Sequence, residues 1–245
     1  MTTEAAIVAL LAVTAGSLLK SISGLGLPLV TIPAVSYVAD IETAVAVTAV
    51  PNLALNGALA WMERSSWPET RDLPVLGGAG FVGAVVGTIV LVSVPEEPLI
   101  AVLVLIVVVY AVTFFTNPEF RLEPRRARRF APVVGTAAGA MQGAVGISGP
   151  IVASWIHSYR LPRDAYIFSV TALFAIAGLA QIPTLLVSGR ISGLWTVSAI
   201  ACLPALGTIP IGGRLRRTFS SVGFDRFVVV TLTVSVVGLG IRTFT

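Results

Sequence analysis

Eight long apolar blocks constrain this chain more than any other feature of its sequence. They occupy about residues 5–38, 43–61, 73–94, 98–116, 131–158, 165–187, 194–211 and 227–241. A helix needs about 20 apolar residues to cross the hydrocarbon core of a bilayer, and most of the blocks approach or exceed that length. Charged residues make up 11% of the 245-residue chain, whereas soluble domains average about 25%. The sequence therefore predicts an all-α integral membrane protein.

The charge pattern and the lone cysteine exclude several other classes of protein. The formal net charge is +4, but the arginines lie in short loops and do not interleave with aromatic residues, as a base-stacking platform requires. We therefore expect no nucleic-acid partner. Cys202 is the only cysteine, which excludes an intrachain disulfide and a cysteine-based metal site. The phosphate-binding pattern G-x-x-x-x-G-K-[ST] does not occur, and we expect no cofactor and no metal.

The first and fifth blocks are too long for one ordinary span, and Gly, Ser and Pro residues interrupt both of them. A shift of 122 residues superimposes the two interruptions. It aligns Gly24 with Gly146, Pro28 with Pro150, and the pair Ser36-Tyr37 with Ser158-Tyr159. This self-similarity predicts a first membrane repeat over residues 1–117, an Arg-rich linker over 118–129 and a second membrane repeat over 130–245.

The arginines in the loops favour one arrangement of the blocks. If all eight blocks are simple spans, nine arginines lie on one side of the membrane and six on the other. If each interrupted block enters and leaves on the same side, thirteen arginines share one side, and only Arg190 and Arg242 lie opposite. Cytoplasmic loops carry an excess of Lys and Arg. The second arrangement is favoured, with the Arg-rich linker cytoplasmic and both termini outside.

This arrangement gives each repeat an odd number of crossings, so the second repeat is inverted relative to the first. The predicted fold is therefore two inverted-topology repeats, each a broken-helix or re-entrant hairpin plus three transmembrane helices. Secondary transporters often use this plan and bind their substrates at the broken helices. The alternative is that the interruptions are only close contacts between packed helices at Gly and Ser residues.

The first interruption places Lys20 inside an apolar block, where an ionisable residue indicates a functional site. A helix that restarts after a break presents unpaired N–H groups and the positive end of its dipole, which together favour anions. Glycines at a break let the backbone approach a ligand closely. Alternatively, Lys20 extends to the membrane interface as an anchor. The candidate substrate-binding residues at the two breaks are Lys20, Ser21, Ser23, Gly24, Gly26, Gln142, Gly146, Ser148 and Gly149.

Further polar residues complete the candidate site. All twelve acidic residues lie in loops or at block ends, so no carboxylate is available at mid-membrane for a cation, and an anionic substrate is favoured. Thr48, Asn52 and Asn56 recur every four residues on one helix face; they either line the cavity or bond to neighbouring helices. His157 is the only histidine and is a candidate for proton coupling, although an interfacial role is favoured.

Two Gly-rich interruptions, "GSLLKSISGLGLPLVTIP" and "GAMQGAVGISGPIVAS", each open one half of the chain. Together with the later stretch "YRLPRDAYIFSVTALFAIAGLAQIP", they resemble the TauE/SafE family of sulfite and organosulfonate transporters, over essentially the whole chain. The resemblance implies transport of sulfite, or of an organosulfonate such as sulfoacetate, across the bacterial inner membrane. By the same analogy it implies that proton coupling is plausible.

The sequence thus predicts a secondary transporter that moves a small oxyanion by alternating access between the two breaks. A passive anion channel and a divergent carrier of another small solute are the alternatives. An intramembrane enzyme is disfavoured, because no mid-membrane carboxylate pair, cluster of metal-ligating residues or nucleophile–base pair occurs. The expected partners are the anionic substrate and membrane lipid, and the sequence leaves a homodimer open.

Overall fold

A computed structural model describes residues 1–116 and 124–215, and within these residues the chain is all-helical, as predicted. The last predicted span, 227–241, lies outside the described residues, as do Arg121 and Arg242. The helices, in chain order, are α1 Thr3–Ser23, α2 Leu27–Val38, α3 Ile41–Met62, α4 Leu73–Ser93, α5 Glu96–Thr116, α6 Pro124–Val145, α7 Gly149–Ser158, α8 Arg163–Val187 and α9 Trp195–Leu215, with a short 3-10 helix at Arg64–Glu69.

Five of these helices, α1, α3, α4, α8 and α9, are long and apolar enough to cross a membrane. Their outward faces carry large apolar side chains; on α4, for example, Phe81, Val82, Val86 and Ile89 are all exposed. A soluble protein rarely exposes a continuous apolar surface of this kind, whereas lipid covers it. The chain is a multi-pass membrane protein.

Both predicted interruptions are breaks between two helices. The α1 helix ends where Gly24 takes a left-handed φ of 84° and donates its N–H to the Lys20 carbonyl oxygen at 2.7 Å. The α6 helix ends in the same way, with Gly146 at φ 71° and a 3.0 Å bond to the Gln142 carbonyl oxygen. Glycine adopts this conformation at no steric cost, which makes it the usual residue after a helix C-terminus.

The chain restarts as a helix three residues after each break. Pro28 is the second residue of α2 and Pro150 is the second residue of α7. Proline suits the first turn of a helix because its fixed φ is helical and its missing N–H would have no helical acceptor there. The new helices are short: α2 has 12 residues and α7 has 10. The two alignments by the 122-residue shift, of Gly24 with Gly146 and of Pro28 with Pro150, therefore mark matching positions at the two breaks.

Direct backbone contact between α4 and α6 is the closest helix packing in the described part of the chain. A Cβ atom added at any of five glycines would overlap backbone atoms of the opposite helix. These are Gly83 and Gly87 on α4, and Gly135, Gly139 and Gly143 on α6. Small residues permit such an approach in membranes, where packing rather than the hydrophobic effect holds helices together. The α1 and α9 helices also approach closely, since Gly212 lies directly against Ser21.

Side-chain contacts identify the two ends of the helix bundle. At one end Tyr159, after α7, donates a hydrogen bond to Asp72 before α4 (3.2 Å), and the rings of Trp67 and Phe168 meet at 5.9 Å. At the other end Arg190, after α8, forms a 3.2 Å ion pair with Glu42 at the start of α3. The first end also holds Arg71 and Arg160 in its loops, Arg64 at the start of the 3-10 helix and Arg163 at the start of α8. Arg125, Arg126, Arg128 and Arg129, assigned to the linker in the sequence, lie in the first turns of α6.

Candidate functional site

A cavity of about 210 Å³ lies between the two helix breaks. Its walls come from the end of α1, the start of α2, the break between α6 and α7, and the middle of α8. The lining residues are Lys20, Leu25, Gly26, Pro28, Leu29, Gln142, Ile147, Ser148, Gly149 and Phe174. Both halves of the chain therefore contribute to one small enclosure, which we call the Lys20 cavity.

Lys20 is the only lysine of the chain and is just 1% exposed. It lies in the last turn of α1, one turn before the glycine that ends the helix. Its Nζ lies 4.3 Å from the centroid of the Phe174 ring. Among the described residues no carboxylate forms an ion pair with Lys20. The burial argues against an interfacial anchor, because an anchoring lysine extends its ammonium group to water.

Two helix N-termini add positive potential to the cavity. The first turns of α2 and α7 supply Pro28, Leu29 and Gly149 to its walls. The first N–H groups of a helix have no acceptor within that helix, and the peptide dipoles give this end a partial positive charge. None of the lining residues carries a carboxylate. With a buried lysine beside two helix N-termini, the cavity has the electrostatic character of an anion site.

Gln142 fixes the second break through its side-chain amide. Its Nε2 donates to the carbonyl oxygen of Gly146 at 3.1 Å, and its Oε1 accepts a hydrogen bond from Ser148 Oγ at 3.0 Å. Gln181 of α8 adds a bridge between helices by donating to the Gln142 carbonyl oxygen at 3.0 Å. The non-helical backbone at the break therefore has internal partners, which buried irregular backbone in a membrane protein requires.

The structure brings five of the candidate binding residues together, and the other candidates whose side chains it describes lie elsewhere. Ser21 is buried against α9, where its Oγ lies 3.2 Å from Thr208 Oγ1. Gly146 packs against Ile32 and Val45. Gly24 ends α1 without lining the cavity, and the side chain of Ser23 lies outside the described part of the structure. The residues that line the Lys20 cavity are Lys20, Gly26, Gln142, Ser148 and Gly149.

The polar stripe on α3 bonds largely within its own helix. Thr48 donates to the Ala44 carbonyl oxygen at 2.7 Å, and Asn56 Nδ2 donates to the carbonyl oxygen of Asn52 at 2.8 Å and to its side-chain oxygen at 2.9 Å. All three stripe residues are buried, but none lines the Lys20 cavity. Their assignment to a substrate path stays a prediction.

His157 lies near the end of α7 and is exposed. Its ring meets the ring of Tyr166 edge to face, with 6.5 Å between the centroids. It is not part of the wall of the Lys20 cavity. Its assignment to proton coupling stays a prediction.

Sequence reasoning missed Phe174 as a residue of the site. An aromatic residue in an apolar helix resembles an ordinary core residue, and Phe174 is buried. The repeat contained a signal nevertheless, because the 122-residue shift aligns Phe174 with Asn52, which was selected for its polarity. A residue that aligns with a candidate residue of the other repeat can therefore belong to the site even when its side chain is apolar.

A second, larger cavity of about 360 Å³ adjoins the Lys20 cavity. The two share Phe174 and Ser148. The walls of the larger cavity are mainly apolar: Leu76, Gly80, Val134, Gly135, Ala138, Gly139, Val152, Trp155, Ile156, Leu173 and Ala177 complete its lining. We call it the apolar cavity.

A chain of hydrogen bonds lies beside the apolar cavity, at the end of the bundle where Asp72 meets Tyr159. Trp155 Nε1 donates to the Tyr159 hydroxyl at 2.9 Å, and that hydroxyl donates to Asp72 Oδ2 at 3.2 Å. Burial raises the pKa of the Tyr159 phenol, and the nearby Asp72 carboxylate acts in the same direction. The phenol is therefore held neutral, in the form that can donate to Asp72.

A family model described as "Sulfite exporter TauE/SafE" matches residues 8–239 of the chain. The matched region includes both helix breaks and every residue of the Lys20 cavity. Neither the curated proteins nor the solved structures contain a match to this chain.

Proposed function

This chain belongs to the sulfite exporter TauE/SafE family, and on that premise we propose that it is a secondary transporter for a small sulfur-containing oxyanion. The proposed substrates are sulfite and organosulfonates such as sulfoacetate, carried across the bacterial inner membrane. Members of the family are transporters, and this chain is a multi-pass membrane protein with no predicted enzymatic chemistry. A transporter of this kind binds its substrate without covalent steps and releases it on the other side.

The observation that carries the proposal is the position of Lys20. A lysine that is 1% exposed and has no carboxylate partner among the described residues is costly in a membrane protein. An anion in the Lys20 cavity compensates for that cost, because it interacts favourably with the ammonium group and with the N-terminal ends of α2 and α7. The proposed roles are charge from Lys20, a hydroxyl donor from Ser148, which exchanges its bond to Gln142 Oε1 for one to the anion, and backbone N–H groups from the region of Gly26 and Gly149.

Equivalent helix contacts support the proposed pair of repeats, 1–117 and 130–245. The α1 helix of the first half packs on α9 of the second, and α6 of the second half packs on α4 of the first. The α2 and α7 helices follow equivalent breaks. Exchange of the two halves thus turns the α1–α9 contact into the α6–α4 contact, which supports a pseudo-two-fold relation between them. Alternating access then consists of one repeat rocking against the other around the Lys20 cavity.

The distribution of arginines supports an orientation for the bundle. Arg64, Arg71, Arg160 and Arg163 lie at the end where Tyr159 meets Asp72, whereas Arg190 lies at the end with Glu42. The positive-inside rule makes the first end cytoplasmic. In this orientation the apolar cavity lies in the cytoplasmic half of the protein, since its walls include Leu76 and Ile156, near that end.

Transport in proteoliposomes tests the proposal directly. The full chain is reconstituted, and uptake of labelled sulfite and labelled sulfoacetate is measured with and without a pH gradient. Saturable uptake is expected for wild type, with a loss of at least tenfold in Lys20→Met, which keeps most of the side-chain length but lacks the charge. Lys20→Arg keeps the charge and is the matched control, with at least partial uptake expected. Equal uptake by wild type and Lys20→Met would contradict the proposal.

Counterflow separates a transporter from a passive anion channel. Vesicles loaded with unlabelled sulfite accumulate labelled sulfite transiently if one site alternates between the two sides. A channel gives equilibration without accumulation, and this result would replace the carrier mechanism by the channel alternative. The dependence of uptake on the pH gradient reports proton coupling, and the same assay on His157→Gln tests whether that histidine takes part.

A further inference from the structure

Phe174 of α8 lies where the Lys20 cavity and the apolar cavity meet. It is 4% exposed, it lines both cavities, and its ring centroid lies 4.3 Å from Lys20 Nζ. Ser148 is the other residue common to both walls. A solute that moves from the apolar cavity to Lys20 therefore has to pass between Phe174 and Ser148.

The walls of the apolar cavity contain few groups that bind an anion. Apart from Ser148, the one lining side chain with a polar atom is Trp155, and its N–H is occupied by the Tyr159 hydroxyl. The favourable interactions for an anion are concentrated on the other side of Phe174, at Lys20 and the two helix N-termini. The ring of Phe174 thus separates the apolar cavity, which interacts weakly with an anion, from the Lys20 cavity, which interacts strongly with it.

The ring also acts on Lys20 itself. The face of an aromatic ring carries partial negative charge and attracts an ammonium group within about 6 Å of its centroid, most strongly where water is excluded. Among the described residues Lys20 has no carboxylate partner, so the Phe174 ring is the group that interacts electrostatically with its ammonium. The ring occupies the side of Lys20 that an anion arriving from the apolar cavity would approach.

We propose that Phe174 is the gate and a specificity-determining residue of the Lys20 site: its ring covers the ammonium group in place of an anion, and an arriving anion displaces it toward the apolar cavity. This inference rests on the proposed function of the Lys20 cavity. The walls of the apolar cavity, formed mainly by aliphatic side chains and glycines, are an environment that suits the displaced ring. A neutral solute gains too little from the ammonium group to displace the ring, so the gate discriminates by charge.

Binding measurements test the competition between ring and anion. The dissociation constants of sulfite and methanesulfonate are measured on the purified full chain by titration calorimetry, with chloride at matched ionic strength as the blank. Phe174→Leu removes the aromatic face but keeps an apolar side chain, so it is expected to bind both anions about tenfold more tightly than wild type. Phe174→Tyr keeps the ring and is expected to remain within about twofold of wild type. Phe168→Leu, a buried phenylalanine of the same helix away from both cavities, is the control.

Amine labelling tests the gate independently of affinity. Because Lys20 is the only lysine, reductive methylation modifies two amines in the chain, the Lys20 side chain and the N-terminal amine, and the second serves as an internal reference. The ratio of Lys20 labelling to N-terminal labelling is expected to rise at least fivefold in Phe174→Ala and to stay unchanged in Phe168→Leu. Saturating methanesulfonate, which does not react with the formaldehyde used for labelling, is expected to suppress the rise. Circular dichroism and gel filtration of each variant show whether it is folded.

The outcomes separate the gate from the function on which it rests. If wild type binds neither anion, or if Lys20→Met binds the anions as tightly as wild type does, the proposed function and the gate both fail. If binding depends on Lys20 but Phe174→Leu keeps the wild-type dissociation constants and Phe174→Ala keeps the wild-type labelling ratio, the gate alone is overturned. Tighter binding in Phe174→Leu, with faster labelling of Lys20 in Phe174→Ala, supports it.

Discussion

Lys20 and Gln142 occupy equivalent positions at the two helix breaks. The carbonyl oxygen of each accepts a hydrogen bond from a left-handed glycine four residues later, at 2.7 Å for Lys20 and 3.0 Å for Gln142. Both side chains are buried and line the same cavity. The same backbone conformation thus positions two different side chains. Lys20 brings a positive charge into the cavity, whereas Gln142 forms hydrogen bonds across its own break.

Replacement of Gln142 by leucine is expected to destabilise the protein. The substitution leaves the Ser148 hydroxyl and the Gly146 carbonyl oxygen without the partners that they have at 3.0 Å and 3.1 Å. A buried polar group that loses its partner costs about 1–3 kcal/mol, and the midpoint of unfolding in detergent should fall accordingly. Thr136→Val is a matched control on the same helix, because it removes an exposed hydroxyl that bonds only to the Pro132 carbonyl oxygen. An equal change in both variants would contradict the role assigned to Gln142.

Replacement of Gln142 by glutamate is expected to weaken anion binding at least tenfold. Glutamate keeps an acceptor for Ser148 and places a carboxylate in the cavity that Lys20 lines. An opposite charge held inside the protein neutralises the lysine and repels an incoming anion. Sulfite binding should therefore fall by at least tenfold in calorimetric titration. Sulfite binding at wild-type strength in Gln142→Glu would show that Gln142 is remote from the bound anion.

Local sequence chemistry was sufficient to locate the breaks. Gly24 and Gly146 interrupt apolar blocks that are too long for single spans, and both are the left-handed residues that end α1 and α6. The lysine at the first break lines the cavity between the breaks, and its contact with substrate stays a prediction. Each of these signals depends on a residue whose backbone or charge is unusual within a membrane segment, so it is visible without knowledge of the neighbouring helices.

The side to which a residue points was harder to predict. Ser21 follows Lys20 directly, but successive residues on a helix point about 100° apart. Ser21 therefore faces Thr208 of α9 and not the cavity. Asn52 and Asn56 have the spacing of one helix face, and that spacing lets Asn56 bond to the Asn52 carbonyl within the helix. Phe174 enters the site because α8 packs beside the breaks. These facts depend on tertiary packing, which polarity patterns do not encode.

Alkaline pH is expected to destabilise the protein through Tyr159. Burial is the main cause of the raised pKa of its phenol. The ordinary pKa of a tyrosine is about 10. Below about pH 10 the phenol is neutral in the folded and unfolded states, so its contribution to stability is fully present. Above that pH the unfolded phenol ionises while the buried one stays neutral, and the contribution falls by up to about 1.4 kcal/mol per pH unit.

Tyr159→Phe isolates this effect. The variant loses the hydrogen bonds with Trp155 and Asp72 and should be less stable than wild type at pH 8. Between pH 8 and pH 11 the unfolding midpoint of wild type should fall further than that of the variant, so the gap between them narrows. A gap that stays constant over this range would show that the ionisation of Tyr159 is not linked to folding.

The contact between Gly87 of α4 and Ala140 of α6 predicts a strong effect of a single methyl group. A Cβ at Gly87 would overlap the backbone carbonyl of Ala140, so Gly87→Ala has to separate the two helices. Overpacking of this kind costs about 1–3 kcal/mol, and the loss should appear as a lower unfolding midpoint in detergent. Gly78→Ala on the same helix is the matched control, because a Cβ there meets no atom within 4 Å and alanine favours the helix over glycine. If Gly87→Ala proved as stable as Gly78→Ala, the close approach of α4 and α6 would not hold in the folded protein, and the contact between the two halves that supports the repeat assignment would be lost with it.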